Sequence, residues 1–139
     1  MAQLENLRIP TKLKLSALWA ATIFCYLYCD YFELYVPGKL QSMLDGRIEP
    51  LGAVTQSVLV GTSILMAIPS LMVALSVLLG PKTSRIANIV FGVFFTAIMC
   101  LLAYQAGWYF YKLFAVIEAI LTATIVWIAW KWPEAQSAV

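Results

Sequence analysis

Apolar residues occur in four long runs along the chain, and short polar segments that contain glycine or proline separate these runs. Each run is close to the roughly 20 residues that an α-helix needs to cross a hydrocarbon core about 30 Å thick. The pattern therefore predicts an all-α membrane protein with one membrane domain, residues 1–139, and four transmembrane helices. The predicted spans are about 15–36, 51–79, 85–104 and 108–130.

The polar segments between the runs predict how the helices are connected. Pro37-Gly38 ends the first span, and residues 39–48 then place apolar and polar side chains on opposite sides of a helix. We expect a short interfacial helix there, capped by Gly46, and a turn before the third span with Ser84 as its N-cap. Because short connections make successive helices antiparallel, we predict an up-down-up-down four-helix bundle.

Lysine and arginine are distributed unequally between the two ends of the predicted helices. The side that carries both termini has Arg8, Lys12, Lys14, Lys82, Arg85 and Lys131, whereas the other side has Lys39, Arg47 and Lys112. Because short loops rich in these residues stay in the cytoplasm, we predict that both termini are cytoplasmic. The first loop and its short helix then lie on the outer side of the membrane.

Composition narrows the classes of protein and of site that the chain allows. Charged residues make up 12% of the sequence, about half the fraction of a soluble domain, so the lipid bilayer is the expected partner. The net charge is +2 without a block of basic residues, which excludes a nucleic-acid binder. The sequence has no histidine, which excludes histidine-ligated metals and a histidine base. We predict no metal and no cofactor.

Three carboxylates fall inside the predicted spans: Asp30 and Glu33 on the first, and Glu118 on the fourth. An ionisable group at the bilayer centre costs about 2.5–3.5 kcal/mol or more, so such groups are usually functional. On the first span, Tyr26, Asp30 and Glu33 recur at helical spacing and share one face. This face is therefore expected to look into the bundle.

The carboxylates are expected to converge in the outer half of the bundle. At about 1.5 Å per residue, Asp30 lies about 10 Å and Glu118 about 15 Å from the outer side. Lys112, at the end of a flexible stem, is the expected partner of Glu33 or Asp30. A structural role, in which the carboxylates clamp the bundle, is the alternative. The candidates for ligand binding or proton coupling are Asp30, Glu33, Glu118, Tyr26, Gln56, Tyr111 and Lys112.

Polar and small residues mark the third span. Arg85 and Asn88 stand at its start and are predicted to anchor it on the cytoplasmic side, where a lipid phosphate is favoured over a substrate anion as the contact of Arg85. Gly92, Thr96 and Cys100 follow Asn88 at four-residue intervals. This stripe of small residues favours close helix packing in lipid.

Two cysteines, Cys25 and Cys29, lie one helical turn apart beside Asp30. Two thiols and a carboxylate are ligands for a soft metal, and Cys100 could approach them from the third span. We favour the simpler interpretation that these cysteines are small apolar filler.

Short motifs are spread over nearly the whole chain. They are Tyr28-Cys29-Asp30 with Pro37 and Gly46, Ile68-Pro69 with Met72 and Leu75-Ser76, Arg85-Ile86-Ala87-Asn88-Ile89, Glu118, and Trp127 with Ala129-Trp130-Lys131-Trp132. With these motifs taken together, the chain resembles an uncharacterised family of small bacterial four-helix inner-membrane proteins. The resemblance implies the architecture and the bacterial inner membrane, and no activity. In relatives from that family we expect an acidic residue directly before the Ile-Pro pair, whereas this chain has Ala67 at that position.

Three functions from different classes fit these observations. The first is binding or transport of a small cationic or amphipathic ligand through an outward-facing pocket lined by carboxylates. The second is an accessory or assembly subunit of a larger membrane complex, docked through small-residue helix faces. The third is a membrane enzyme that uses Asp30 or Glu118 for acid/base catalysis on a lipid-soluble substrate. Binding and assembly are favoured over catalysis, and a homo-oligomer or larger complex is expected because four helices leave little room for a pore.

Overall fold

Four long helices dominate the structure, a computed structural model that describes residues 8–48 and 51–133. The elements are α1 (Thr11–Glu33), α2 (Lys39–Leu44), β1 (Arg47–Ile48), β2 (Gly52–Ala53), α3 (Gln56–Leu78), α4 (Pro81–Gln105) and α5 (Tyr109–Trp130). Helices α1, α3, α4 and α5 are long and apolar enough to cross a membrane. This confirms the four predicted membrane-capable helices. The ends of the two tails that we predict in the cytoplasm, residues 1–7 and 134–139, lie outside the described residues.

The helix ends differ from the predicted spans by a few residues. Helix α1 ends at Glu33 rather than near residue 36, so Asp30 lies about 5 Å from the helix end at about 1.5 Å per residue. Helix α4 begins at Pro81, a residue that suits the first helical position. The prediction of Ser84 as an N-cap is therefore wrong, because Gly80 occupies that position. Thr55 caps α3, where its hydroxyl accepts a hydrogen bond from the backbone of Val58.

The first loop contains a short helix followed by a small hairpin. Helix α2 ends at Leu44, four residues before the predicted end. Strands β1 and β2 then pair antiparallel, with Ile48 opposite Gly52. Gly46 and Gly52 have φ angles of 70° and 83°, in the left-handed region that favours glycine. Asp45 is the C-cap of α2 and Gly46, predicted to cap this helix, follows it. The hairpin was not predicted.

The long helices form a closed arrangement of neighbours. Helix α1 packs against α3 and α5, and α4 packs against α3 and α5. The hydroxyl of Ser16 near the start of α1 donates to the carbonyl of Val73 near the end of α3, over 2.7 Å. Arg85 near the start of α4 donates to the carbonyl of Trp130 at the end of α5, over 2.9 Å. The buried core between the helices consists of Leu15, Trp19, Tyr26, Met72, Phe95, Met99, Ile125 and Ala129.

Helices α4 and α5 approach each other closely at Gly92. A Cβ atom placed on Gly92 would lie 2.7 Å from a methyl group of Val126. One turn further on, the hydroxyl of Thr96 donates to the hydroxyl of Thr122 over 2.8 Å. Gly92 and Thr96 therefore serve the close packing predicted for the small-residue stripe, whereas Cys100 is exposed.

Helix α3 is the least buried of the four long helices. Its buried residues, Pro69, Met72 and Ser76, all lie in its second half. The side chain of Lys12 donates to carbonyl groups at the C-terminal end of this helix, where the helix dipole favours a positive charge. One face of α3 carries exposed small side chains, Ser63, Ala67, Ser70 and Ala74.

Candidate functional site

A buried polar network joins α1, α3 and α4 near the end of the bundle where α1 and α4 begin. Asn88 is fully buried, and its Oδ1 accepts hydrogen bonds from the indole of Trp19 (2.8 Å) and the hydroxyl of Ser76 (3.1 Å). The Nδ2 group of Asn88 donates to the carbonyl of Ser84 over 2.8 Å. Asn88 therefore lies in the core, away from the lipid surface, and its polar atoms are used in holding helices together.

Arg85, the second candidate on this side, occupies a different environment. Its side chain is exposed, and its guanidinium bonds the last carbonyl of α5. This contact ties α4 to α5 and satisfies a backbone acceptor that lacks a partner within its own helix.

The opposite half of the bundle contains a cavity of about 70 Å³, which we call the carboxyl cavity. All four long helices contribute to its wall. Its lining residues are Tyr26, Cys29, Asp30, Met66, Met99, Leu102, Tyr111, Ala115 and Glu118. Four of the seven predicted ligand-binding or proton-coupling candidates, Tyr26, Asp30, Tyr111 and Glu118, are among them.

Glu118 lies deepest among the carboxylates of this cavity. It is the tenth residue of α5, which places it about 14 Å from the start of that helix at about 1.5 Å per residue. Its side chain is 3% exposed, and its Oε1 atom has no hydrogen-bond partner among the described residues. A buried acceptor without a partner costs about 1–3 kcal/mol. The wall of the cavity therefore contains a polar atom that the described side chains do not satisfy.

Tyr26 provides a second polar atom of the same kind. The residue is buried and its ring lies 6.4 Å from that of Phe95, measured between centroids. Its hydroxyl group has no hydrogen-bond partner among the described residues. Buried polar groups are otherwise almost always paired, so two unpaired groups in one cavity point to a water molecule or a ligand as the missing partner.

The rim of the site is charged and more open. Asp30 lines the carboxyl cavity but its side chain is exposed. Glu33 forms a salt bridge of 2.7 Å with Lys39 at the start of α2. Lys112 lines neither the carboxyl cavity nor the larger groove described next, and it makes no salt bridge within the described residues. Lys112 was the predicted partner of Glu33 or Asp30; Glu33 pairs with Lys39 instead, because α1 ends at Glu33 and the following turn brings Lys39 back beside it.

A larger open cavity of about 370 Å³, which we call the outer groove, adjoins the carboxyl cavity. Its lining includes the Glu33–Lys39 pair and the aromatic side chains of Trp108 and Phe110. Leu102 and Tyr111 line both cavities. The two cavities are therefore adjacent. Gln56 is exposed at the start of α3 and lines neither cavity.

Sequence reasoning did not find Met66 and Met99, which supply two sulfur atoms to the carboxyl cavity. Methionine has no periodic signal that separates a cavity-lining position from a core or lipid-facing one. Cys29 is buried in the same cavity, whereas Cys100 is exposed and lines neither cavity. Within residues 8–48 and 51–133, no group of three or more histidine, cysteine, aspartate or glutamate side chains is placed to hold a metal ion.

The comparison with known families identifies one match. The model of a family described as a family of unknown function (DUF6326) matches residues 6–139. No curated protein and no solved structure matches the chain. Ligand binding, assembly and catalysis therefore stay predictions.

Proposed function

The chain belongs to this family of unknown function, and we propose that it binds a small cationic or amphipathic ligand in the carboxyl cavity, reached through the outer groove. We further propose that it is a bacterial inner-membrane protein with an up-down-up-down bundle and both termini in the cytoplasm. The excess of lysine and arginine on the side of the termini supports this orientation. Both cavities then open toward the outer side.

The observation that carries the proposal is the unpaired oxygen of Glu118 inside the carboxyl cavity. In a site shielded from water, a carboxyl group without a partner is stabilised by any cation or hydrogen-bond donor that enters. Asp30, exposed at the edge of the same cavity, provides a second carboxylate on the path of an incoming cation. Ionisable groups within membrane-spanning helices commonly mark such ligand and ion pathways.

The outer groove fits the remaining part of an amphipathic ligand. Its volume of about 370 Å³ is in the range of small-molecule sites, whereas the carboxyl cavity, at about 70 Å³, takes only a compact charged end. Trp108 and Tyr111 in the wall of the groove offer aromatic faces to a cation. The two cavities together therefore favour a small cation or a ligand with a primary ammonium end.

The proposal is tested by binding measurements on the purified chain in detergent micelles. Sodium, methylammonium and hexylammonium ions are titrated by calorimetry against the wild type, Glu118→Gln and Asp30→Asn. We expect at least one of these cations to bind the wild type, and its affinity to fall by tenfold or more in Glu118→Gln. The control is Asp45→Asn, because Asp45 is exposed and bonds only Gln41 among the described residues. Binding that is equal in Glu118→Gln and the wild type contradicts the proposal.

A second candidate function is an accessory subunit of a larger membrane complex or a homo-oligomer. The observation that favours it is the exposed small-residue face of α3, because small side chains let helix backbones approach closely in lipid. Ser70→Leu places a bulky side chain on this face. The control Ser57→Leu places an equally bulky side chain on a different side of α3. We expect Ser70→Leu to reduce the mass of the particle extracted in mild detergent, measured by light scattering, and Ser57→Leu to leave it unchanged. An equal mass for both variants and the wild type contradicts an assembly role for this face.

A further inference from the structure

We propose that the carboxyl cavity is a site for a soft monovalent metal ion, copper(I), held by the thiolate of Cys29 and the thioether sulfurs of Met66 and Met99. This inference rests on the proposed function, since it names the class of cation that the site takes. It concerns residues that the composition and spacing of the sequence did not single out as a group.

The three sulfur-bearing side chains come from three different helices. Cys29 belongs to α1, Met66 to α3 and Met99 to α4, and all three line the same cavity. Cys29 and Met99 are buried, whereas Met66 is 41% exposed. Thiolate and thioether sulfurs are the soft ligands that select copper(I) over harder cations. The packing of the bundle therefore brings three sulfur-bearing side chains to the wall of one cavity.

The size of the cavity favours an ion over an organic molecule. A volume of about 70 Å³ is enough for a few water molecules, each of which occupies about 30 Å³ in the liquid. A bare metal ion with its sulfur ligands fits such a space, whereas a bulky organic cation does not.

The charge of the bound state also favours a monovalent ion. Coordination requires the thiolate form of cysteine, so the thiol proton of Cys29 is released to water when the ion binds. The copper–sulfur bond replaces the hydrogen–sulfur bond, the metal enters and stays as copper(I), and no electron is transferred. One positive and one negative charge then cancel, which avoids an isolated charge in a low-dielectric site.

The polar atoms of the cavity provide an independent indication that something binds there. Glu118 is 3% exposed. Neither its Oε1 atom nor the hydroxyl of Tyr26 has a hydrogen-bond partner among the described residues. A hard ion such as Ca²⁺ needs six to eight oxygen ligands, more than these groups and Asp30 supply. The unpaired oxygens are instead suited to a water molecule beside a sulfur-bound ion.

The experiment measures copper(I) affinity directly. The full chain in detergent is titrated under anaerobic conditions with copper(I) in competition with a chromophoric copper(I) chelator, and silver(I) serves as a second probe that undergoes no redox change. We expect one ion per chain, a loss of affinity of 100-fold or more in Cys29→Ser, and a loss of tenfold or more in Met66→Leu and in Met99→Leu. The matched controls Cys100→Ser and Met43→Leu change exposed residues outside the cavity and should bind as the wild type does.

X-ray absorption at the copper edge provides the second readout, with a first shell of sulfur atoms expected. Methionine-to-leucine changes nearly conserve volume, and helical circular dichroism checks that each variant is folded. Equal affinity in Cys29→Ser and in the wild type, or a first shell of nitrogen and oxygen atoms, overturns the inference. If ammonium or sodium ions bind in a Glu118-dependent way and copper(I) and silver(I) do not, this inference fails and the proposed function stands. If no cation binds, both fail.

Discussion

The indole nitrogen of Trp19 donates a 2.8 Å hydrogen bond to Oδ1 of Asn88, and both side chains are fully buried. The two residues are 69 positions apart in the chain, so this bond joins α1 to α4. Ser76 on α3 donates to the same oxygen. One half of the bundle thus has a paired polar network, while the other half has a cavity with two polar atoms that lack a partner among the described residues. This contrast separates a structural centre from a candidate binding site.

Loss of the Trp19–Asn88 bond should destabilise the bundle. Asn88→Ala leaves the indole of Trp19 and the hydroxyl of Ser76 without their shared acceptor, at about 1–3 kcal/mol for each buried unpaired group. Trp19→Phe removes a single donor and should cost less. Denaturant unfolding in detergent, followed by circular dichroism, measures both effects. Trp130→Phe changes an exposed side chain and should have little effect; an equal loss in Trp130→Phe and Trp19→Phe contradicts the prediction.

Close packing between α4 and α5 should make Gly92 intolerant of a large side chain. A Cβ atom at this position already meets Val126 at 2.7 Å, and overpacking in a tight interface costs about 1–3 kcal/mol. We expect Gly92→Leu to lower the melting temperature in detergent. A Cβ atom placed on Gly61 would meet no neighbouring atom within 4 Å, so Gly61→Leu is the matched control. Equal melting temperatures for the two variants would show that α4 and α5 do not depend on this contact.

Glu118 should be a residue that the protein keeps at the expense of stability. Glu118→Leu removes the oxygen that has no partner among the described residues. The leucine side chain is apolar and needs no hydrogen-bond partner in the cavity wall. We expect Glu118→Leu to unfold at a denaturant concentration equal to or above that of the wild type, with a gain of up to about 1–3 kcal/mol, and to lose cation binding. Glu33→Leu, which breaks the salt bridge with Lys39, should change stability in the opposite direction. A marked destabilisation by Glu118→Leu contradicts an unpaired carboxyl group.

The partner of Glu33 can be identified by a double-mutant cycle. Glu33→Ala and Lys39→Ala should be non-additive, with a coupling of about 0.2–1 kcal/mol, because the two side chains form one partly exposed ion pair. Glu33→Ala and Lys112→Ala should be additive. Free energies of unfolding for the single and double variants provide the measurement. Coupling to Lys112 and none to Lys39 would reverse the assignment made from the structure.

The proposed orientation is tested with single cysteines. In a variant without Cys25, Cys29 and Cys100, Gln41→Cys should react with a membrane-impermeant thiol reagent added from outside. Thr83→Cys should react only after the membrane is opened, because it lies in the loop on the side of the termini. Both positions are exposed in the structure, so a difference in labelling reports the side of the membrane. The reverse pattern contradicts the orientation.

The positions of the four long helices were predictable because apolar length and flanking proline or glycine residues are properties of the sequence itself. The helix ends were predicted less well. Pro81 starts α4 four residues before the expected position, since proline is favourable at the first position of a helix. The two-residue strands of the first loop have no periodicity from which a hairpin could be read. The hydrophobic pattern of the sequence therefore did not predict the local geometry of the turns.

The candidate site was predictable in part, because helical spacing and depth along a helix are also properties of the sequence itself. Helical spacing on one face placed Tyr26 and Asp30 toward the interior, and depth along α5 placed Glu118 near them; the structure brings all three to one cavity. Lys112 was predicted as the partner of Glu33 or Asp30 from its flexible stem and its place in the outer half of the bundle, whereas the turn after α1 brings Lys39 to Glu33. Met66 and Met99 could not be chosen from the sequence, because an apolar side chain in a membrane helix can face lipid, core or cavity equally well.

The contacts of α1 have a consequence for the order of events during synthesis. Among the described residues, the side-chain hydrogen bonds from α1 to other helices reach residues 57 to 69 positions later in the chain. At a synthesis rate of about 5–20 residues per second, the ribosome needs about 3–11 s to produce even the nearest of these partners. During that interval the side chains of Lys12, Ser16 and Trp19 have not yet met these hydrogen-bond partners. The side-chain hydrogen bonds of α1 to the rest of the bundle can therefore form only after α3 and the start of α4 have been synthesised.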